Sequence, residues 1–464
     1  MTAPLWTAAE LRAATGGALA AEVAVSGVAI DSRGIAPGAL FVALRDARDG
    51  HDFVADALAR GAAAAMVDRD PPGVAPGAAL LRVGDTMEGL RALGAAGRAR
   101  FAGRAVAVTG SVGKTGTKEM LRLLLGALGP THAAVASYNN HWGVPLTLAR
   151  LPRGAEFAVI EIGMNNPGEI APLARLARPH VVAVTAIGEA HVGHLGSLEA
   201  IAEEKGSIAA GLEPGGVAVL DRDSPFFPRL AAMAREAGAA RVIGFGSGAA
   251  AESRLVEAAA GPEGVRARLS VLGAEVALAM PAVGLHHARN AACALAVVAA
   301  LGGDPARAAP ALAAYAPGAG RGGARPVAVP GGTALLIDES YNAAPPAMRA
   351  ALAALALRPA ARRIAVLGEM RELGAQSAAL HAALAPDAAA AADLVFCCGD
   401  GMAHLFEALP PAKRGGHAPD SAALVPLLRA ALRPGDAILV KGALGSRMAV
   451  VVEALSLQPA GDAS

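Results

Sequence analysis

Hydrophobic positions fall into three successive regimes along the chain. Up to about Gly97, short apolar runs (Val23–Ile30, Leu40–Leu44, Ala63–Val67, Leu80–Val83) alternate with helix-period stretches such as Asp52–Arg60. This pattern predicts a small α/β unit. From Arg104 the runs lengthen: strand Ala105–Thr109, helix Lys114–Leu128 stopped by Gly129-Pro130, then strands Phe157–Ile162 and Val181–Ile187. Such alternation predicts a parallel sheet wrapped by helices. Two strand-like runs flank Gly273 within Val265–Met280 and predict an antiparallel hairpin, followed by a helix over Ala288–Leu301.

The Gly-, Pro- and Arg-rich segment Pro317–Pro330 reads as a linker. Beyond it the pattern resumes with strand Ala334–Asp338, helix Pro346–Leu357 and strands Ile364–Gly368, Asp393–Cys398 and Ala437–Lys441. The expected architecture is α/β in three domains, 1–99, 100–318 and 319–464, with no internal repeat or disordered tract.

Composition changes this picture little but removes whole classes of function. The mean hydropathy of +0.43 comes from alanine spread along the chain. The longest apolar run in a helix candidate, Ala291–Leu301, is about half of the ~20 residues that span a bilayer. Met1–Leu19 lacks the basic start, apolar core and cleavage site of a secretory leader. A cytoplasmic, monomeric protein without membrane insertion is expected. A net charge of +1 supplies no field for nucleic acid or an anionic surface. Cys293, Cys397 and Cys398 make neither a disulfide framework nor a metal spacing.

The scarce residues are more informative. Arginine greatly outnumbers lysine, which occurs only at 114, 118, 205, 413 and 441, and asparagine only at 139, 140, 165, 166, 290 and 342. In a chain biased toward Ala, Gly, Pro and Arg, a remaining Lys or Asn marks chemistry that Arg or Asp cannot supply.

Val106–Gly116 reads strand, glycine turn, Gly-Lys-Thr, helix. Backbone N–H groups of Gly110, Ser111, Val112, Gly113 and Gly116, with the helix N-terminus, would cradle phosphates. Lys114 would reach the β- and γ-phosphates and the Thr115 hydroxyl a Mg²⁺. The first glycine of the usual phosphate loop would fall at Val108, and here it stands two residues later. The alternative is a bare glycine turn before a helix.

Glu161 ends an apolar strand beside this loop, where a carboxylate is costly to bury without a cation. It reads as a metal ligand, or as a salt-bridged strand end. Lys205 falls on the apolar stripe Leu198, Ile201, Ile208, Leu212. A buried ammonium must be paired, neutralised or modified, unless it snorkels to the surface. His191 and His194 follow the strand ending at Ile187 and could ligate a metal or make polar contacts. The pairs Asn139-Asn140 and Asn165-Asn166 could serve turns or a ligand.

Taken together these residues resemble the Mur ligase family over nearly the whole chain. The resemblance rests on Asp31-Ser32-Arg33 with Pro37–Leu44, the Thr-Gly-Ser-x-Gly-Lys-Thr loop, Tyr138–Pro145, Glu161–Ile170 and Ile337–Ala343. Asn342 is discriminating, because ligases adding earlier residues usually carry histidine there. Folylpolyglutamate synthases lack the Tyr-Asn-Asn segment in this form.

The resemblance implies an N-terminal domain for the UDP end of the substrate, a central ATPase and a C-terminal Rossmann-like domain. The implied reaction passes the ATP γ-phosphate to the carboxylate of UDP-MurNAc-tripeptide, and the amine of D-Ala-D-Ala then displaces the acyl phosphate. Phosphorylation makes a poor electrophile reactive, and positioning with charge neutralisation does the rest.

Residue by residue, Lys114 would neutralise phosphate charge, Thr115 and Glu161 would bind one Mg²⁺, and His191 with Lys205 would lie at a second. The lysine matching Lys205 is typically carbamylated. Asn290, Arg321, Asp338 and Asn342 would lie about the nucleotide, Ser32 would face the uridine, and Asn139, Asn140 and Asn165 would meet substrate. Two motifs depart from the family: His286-His287-Ala-Arg-Asn290 stands for His-Asn-x-x-Asn, and Gly318-Ala-Gly-Arg321 for Pro-Gly-Arg. Lys441–Arg447 resembles the family's Lys-Gly-Ser-Arg with an insertion. Another Mur-type amide ligase and a nucleotide switch are the competing readings. The switch would carry a guanine-reading Asn-Lys pair, and none of the six asparagines precedes a lysine.

Overall fold

A computed structural model describes residues 4–135 and 137–456. Three main sheets follow one another along the chain. The first has four parallel strands in the order Gly27–Ala29, Ala39–Val42, Ala64–Val67, Leu80–Arg82. A short antiparallel pair, Trp6–Thr7 with Ala24–Val25, precedes it. The run Val23–Ile30 is therefore two strands rather than one. Ser26 breaks it where its backbone N–H turns to Gly38 O.

The central sheet has nine strands. Arg104–Thr109 lies between Val181–Val184 and Phe157–Glu161, all parallel. Thr131–Ala133 lies beyond Phe157–Glu161; Val217–Asp221 and Arg241–Gly246 extend the other side, and Ser253–Gly261, Gly264–Val271 and Ala274–Met280 complete it. The last two form the antiparallel hairpin expected around Gly273. Buried apolar side chains cover both faces of this sheet, as parallel strands require. The helices Lys114–Gly126 and Leu285–Ala300 pack together on one face.

Arg104–Thr109 is the first strand of this sheet in sequence, and its neighbours on either side come later. The chain thus reverses its direction of winding there, and the loops leaving the three strands open a crevice at their carboxyl ends.

The third sheet runs Gly323–Val329, Gly332–Glu339, Asp436–Lys441, Arg362–Gly368, Leu394–Cys398, Arg414–Ala418. Only the first pair is antiparallel. Its first strand corrects the linker reading, since half of Pro317–Pro330 is a paired strand. Pro326 is tolerated because this is an edge strand, where a missing N–H need not break a ladder.

Cross-contacts hold the first unit to the central one. Trp6 Nε1 donates to Ala149 O at 2.8 Å, beneath the Arg100 guanidinium 3.7 Å from its ring centroid. Arg150 Nε donates to Val28 O at 2.6 Å. Among the described residues no helix is long and apolar enough to cross a membrane.

Candidate active site

The crevice is a cavity of about 1190 Å³ lined by the glycine loop, the ends of the central strands and the carboxyl edge of the third sheet. Three adjacent strands deliver its floor. After Thr109 the loop Gly110–Gly113 turns into the helix beginning at Lys114. Gly110 and Gly113 have φ of +150° and +85°. A Cβ on Gly110 would stand 2.0 Å from Thr185 Oγ1, and one on Gly113 2.7 Å from Asn290 Oδ1, so both close approaches require glycine.

The loop is fastened from below. Thr185 Oγ1 donates to Val112 O at 2.6 Å, and Ser111 Oγ donates to Gly188 O at 2.9 Å. Lys114 Nζ donates to Gly110 O at 2.6 Å, folding the ammonium over the loop's own backbone. Burial lowers the pKa of Lys114, opposed by the nearby Glu161 charge and reinforced by Arg321.

Glu161 is 1% exposed. Its Oε1 accepts from Asn139 Nδ2 at 2.7 Å and from Thr115 Oγ1 at 3.2 Å. Its Oε2 is buried with no hydrogen-bond partner among the described residues. Asn139 can approach because Gly163 carries no side chain; a Cβ there would press within 2.9 Å of the amide. A carboxylate oxygen turned inward beside a hydroxyl and a phosphate loop suits a hard divalent cation that completes its shell with phosphates and water. Among the described residues no three His, Cys, Asp or Glu side chains cluster as a self-sufficient metal cage.

Lys205 lies on the buried face of helix Leu198–Gly206 and is 1% exposed, so it does not snorkel. Burial drives its ammonium pKa well below the ordinary value; the Lys114 charge adds to this and Glu204 opposes it. No hydrogen bond or ion pair neutralises it among the described residues. It does not line the cavity, whereas His191 and His194 do. His191 Nδ1 meets the carboxylate of Glu372, which reaches across from the third sheet. His194 Nδ1 bonds Asn165 O at 2.9 Å.

The asparagines divide. Asn139 and Asn290 serve the loop and its carboxylate. Asn140 Oδ1 accepts from Gly143 N at 3.0 Å and Asn166 Nδ2 donates to Glu169 Oε1 at 2.9 Å, the turn uses the sequence left open. Asn165 and Asn342 line the cavity, and Asn342 Oδ1 accepts from Ala343 N at 2.8 Å. Arg321 donates to Ser137 Oγ at 2.8 Å and lies 4.2 Å over the Tyr341 ring.

Besides Lys205, two more predicted side chains stand apart from the cavity. Ser32 is buried in the first unit and does not line this cavity. Asp338 does not line it either: its Oδ1 accepts from Ser340 Oγ at 2.6 Å and Ser340 N at 3.1 Å. Strand alternation turns the adjacent Glu339 into the cavity instead. There Glu339 Oε2 accepts from the buried Lys441 Nζ at 2.9 Å, because the two residues stand in register on neighbouring parallel strands.

Sequence reasoning missed Ser137, Glu339 and Glu372. Glu339 lay inside the motif Ile337–Ala343 and Ser137 directly precedes Tyr138–Pro145, but Glu372 sits in a loop with no periodicity to mark it. His287, in place of the family asparagine, is buried with Nδ1 unpartnered among the described residues, 4.0 Å from the His286 ring. Burial keeps it neutral, its pKa pushed well below the ordinary value.

A glycine loop at a sheet switch point, an inward carboxylate and a second α/β unit bordering the same cavity define a phosphate-binding, nucleotide-dependent enzyme whose site is shared between two units. Known proteins resolve the class. The chain matches the Mur ligase middle domain over residues 108–298, the Mur ligase, glutamate ligase domain over 327–444 and the Mur ligase family, catalytic domain over 24–99. It is 34% identical over 440 residues to UDP-N-acetylmuramoyl-tripeptide--D-alanyl-D-alanine ligase of Synechocystis sp., covering 94% of this chain and 93% of that one.

The crystal structure of MurF from Acinetobacter baumannii superposes with a TM-score of 0.84 at 29% identity, covering 98% of this chain and 99% of that one. MurF ligase from Thermotoga maritima, solved in complex with ADP, gives 0.74 at 27% identity, covering 93% and 97%. The chain belongs to the Mur ligase family and is an ATP-using ligase.

Proposed function

We propose that the protein joins D-alanyl-D-alanine to the terminal carboxylate of UDP-N-acetylmuramoyl-tripeptide at the expense of ATP, completing the pentapeptide precursor of peptidoglycan. The observation that carries this reading is the single cavity in which the glycine loop, Glu161 and the Glu339–Lys441 edge of the third sheet face one another. Full-length similarity to ligases of this name supports the substrate pair.

In this reading Gly110, Ser111, Val112, Gly113 and Gly116 hold the phosphates through backbone N–H groups, and Lys114 leaves Gly110 O to neutralise the charge that develops on them. Thr115 and Glu161 hold a Mg²⁺, which when bound draws charge from the phosphate oxygens. Asn139 fixes the carboxylate so that Oε2 faces the cation. Asn290, Arg321 and Asn342 border the nucleotide. Asp338 would act on the ribose only after surrendering Ser340. Asn140 and Asn165 border the peptide end, and Ser32 belongs with the uridine end in unit 1–99.

His191 and Lys205 serve a second cation. Burial without a neutralising partner favours the neutral, nucleophilic form of Lys205, and carbamylation by CO₂ would give it the negative charge a metal site needs. A nucleotide-linked substrate and ATP suit the cytoplasm.

The tripeptide carboxylate oxygen attacks the γ-phosphorus and ADP leaves. The amine of D-Ala-D-Ala then attacks the acyl carbon, and phosphate departs with the former carboxylate oxygen. Tripeptide labelled with ¹⁸O in that carboxylate should therefore deliver one ¹⁸O to inorganic phosphate per ligation. Phosphate without label would refute this route.

A further inference from the structure

The helix Leu285–Ala300 meets the cavity at its first turn. His287 and Asn290 stand three residues apart, hence on neighbouring positions of one helix face, and both line the cavity. Asn290 lies against the glycine loop, with its Oδ1 2.7 Å from the place of a Cβ on Gly113. A Cβ on Gly116 would stand 3.2 Å from the Tyr315 hydroxyl. The His287 ring meets the Tyr315 ring edge to face, centroids 5.5 Å apart. The space beside the phosphate loop is thus walled by flat rings with few polar atoms, which suits a heteroaromatic base whose edge carries hydrogen-bonding groups.

One polar side chain in this wall has no partner. His287 is 7% exposed, and neither of its ring nitrogens makes a hydrogen bond among the described residues. Nδ1 is fully enclosed; Nε2 is not, and is the nitrogen left to reach the cavity. Burial favours the neutral ring, as does its place in the first turn of a helix, where partial positive charge gathers. A neutral imidazole carries one proton. On Nδ1 that proton would be an enclosed donor without an acceptor, which folded proteins rarely keep. It therefore sits on Nε2.

We infer that His287 reads the base of the nucleotide: its Nε2–H donates to an acceptor nitrogen of the adenine ring. This rests on the use of ATP and not on which peptide is extended. Asparagine, which stands at this place in the family motif, can donate and accept at once, whereas this imidazole, with Nδ1 enclosed, only donates. The chain thus recognises its nucleotide here by an acceptor on the base.

The test is calorimetric titration of the full chain, in Mg²⁺, with ADP and with 1-deaza-, 3-deaza- and 7-deaza-ADP, each of which replaces one ring nitrogen by C–H. At least one analogue should bind wild type ~5–100-fold more weakly than ADP, because it leaves a buried N–H without an acceptor. His287→Phe keeps a flat ring and removes both nitrogens; in it the same analogue should bind within twofold of ADP. In wild type, imidazole ¹⁵N spectra should show His287 as the Nε2–H tautomer, its Nε2 signal moved by ADP and left in place by that analogue. This measurement carries the test if the phenylalanine variant does not fold.

All three analogues within twofold of ADP in wild type, an undiminished deficit in His287→Phe, or a proton on Nδ1 would overturn the base-reading role and leave ATP use standing. Failure of wild type to bind ADP would overturn the nucleotide reading of the cavity and this inference with it. Neither result depends on the peptide substrates.

Discussion

Asn139 Nδ2 donates to Glu161 Oε1 at 2.7 Å, and by occupying that oxygen leaves Oε2 as the one directed inward without a donor. The asparagine thus orients a carboxylate that would otherwise rotate to satisfy itself. Asn139→Ala should raise the Mg²⁺ concentration for half-maximal ADP formation by ~10–100-fold, the usual effect of removing an outer partner of a metal ligand. A magnesium titration within twofold of wild type would show that Glu161 needs no such support.

Lys205 sets stability against function. Its amine is buried with no hydrogen bond or ion pair among the described residues, and a buried polar group without a partner is destabilising in either protonation state. Lys205→Met, similar in length and apolar, should melt at or above the wild-type temperature while losing nearly all ligation. Lys205→Ala should be nearly inactive and partly recovered by short carboxylic acids, which restore a negative group to the space. Wild-type activity in either variant would remove Lys205 from the metal site.

Gly113 tests the loop itself. Its φ of +85° and its approach to Asn290 both exclude a side chain. Gly113→Ala should lose ~1–3 kcal/mol of stability from backbone strain. It should also weaken ATP at least tenfold, read by calorimetric titration. Unchanged ATP affinity would mean that the loop does not cradle phosphates.

The alternation of apolar runs makes three α/β units and the crevice-forming loop legible in the sequence. Lys205 was legible for the same reason, because helical periodicity reports which face is buried even when the residue is charged. What was hidden had no local signature. The strand Gly323–Val329 looked like a linker because Gly and Pro mark loops, and only pairing at a sheet edge overrides them. Asp338 and Glu339 were indistinguishable as neighbouring acids until strand direction decided which one enters the cavity. Glu372 meets His191 through a contact between units 181 residues apart in sequence, which no spacing rule reaches.

Glu10 supplies a pH signature remote from the active site. Burial opposes its ionisation, but the Thr7 backbone N–H, the Arg153 guanidinium and the Thr7 hydroxyl outweigh it and hold its pKa down to about 2. A lowered carboxylate pKa stabilises the fold above the unfolded value of about 4.5 and loses that contribution as pH falls toward about 2. The stability difference between wild type and Glu10→Ala, from urea midpoints, should be present at pH 7 and shrink steadily from pH 5 to pH 3. A difference independent of pH would assign the effect to packing.

The central claim concerns which three substrates meet in the cavity. Purified protein supplied with ATP, Mg²⁺, UDP-MurNAc-tripeptide and D-Ala-D-Ala should release ADP and phosphate in step with a product heavier than the tripeptide by one dehydrated dipeptide, read by mass spectrometry. Omitting either the tripeptide or the dipeptide should stop turnover. Full turnover with L-glutamate and a folate in their place, or ADP release without the dipeptide at the same rate, would contradict the account.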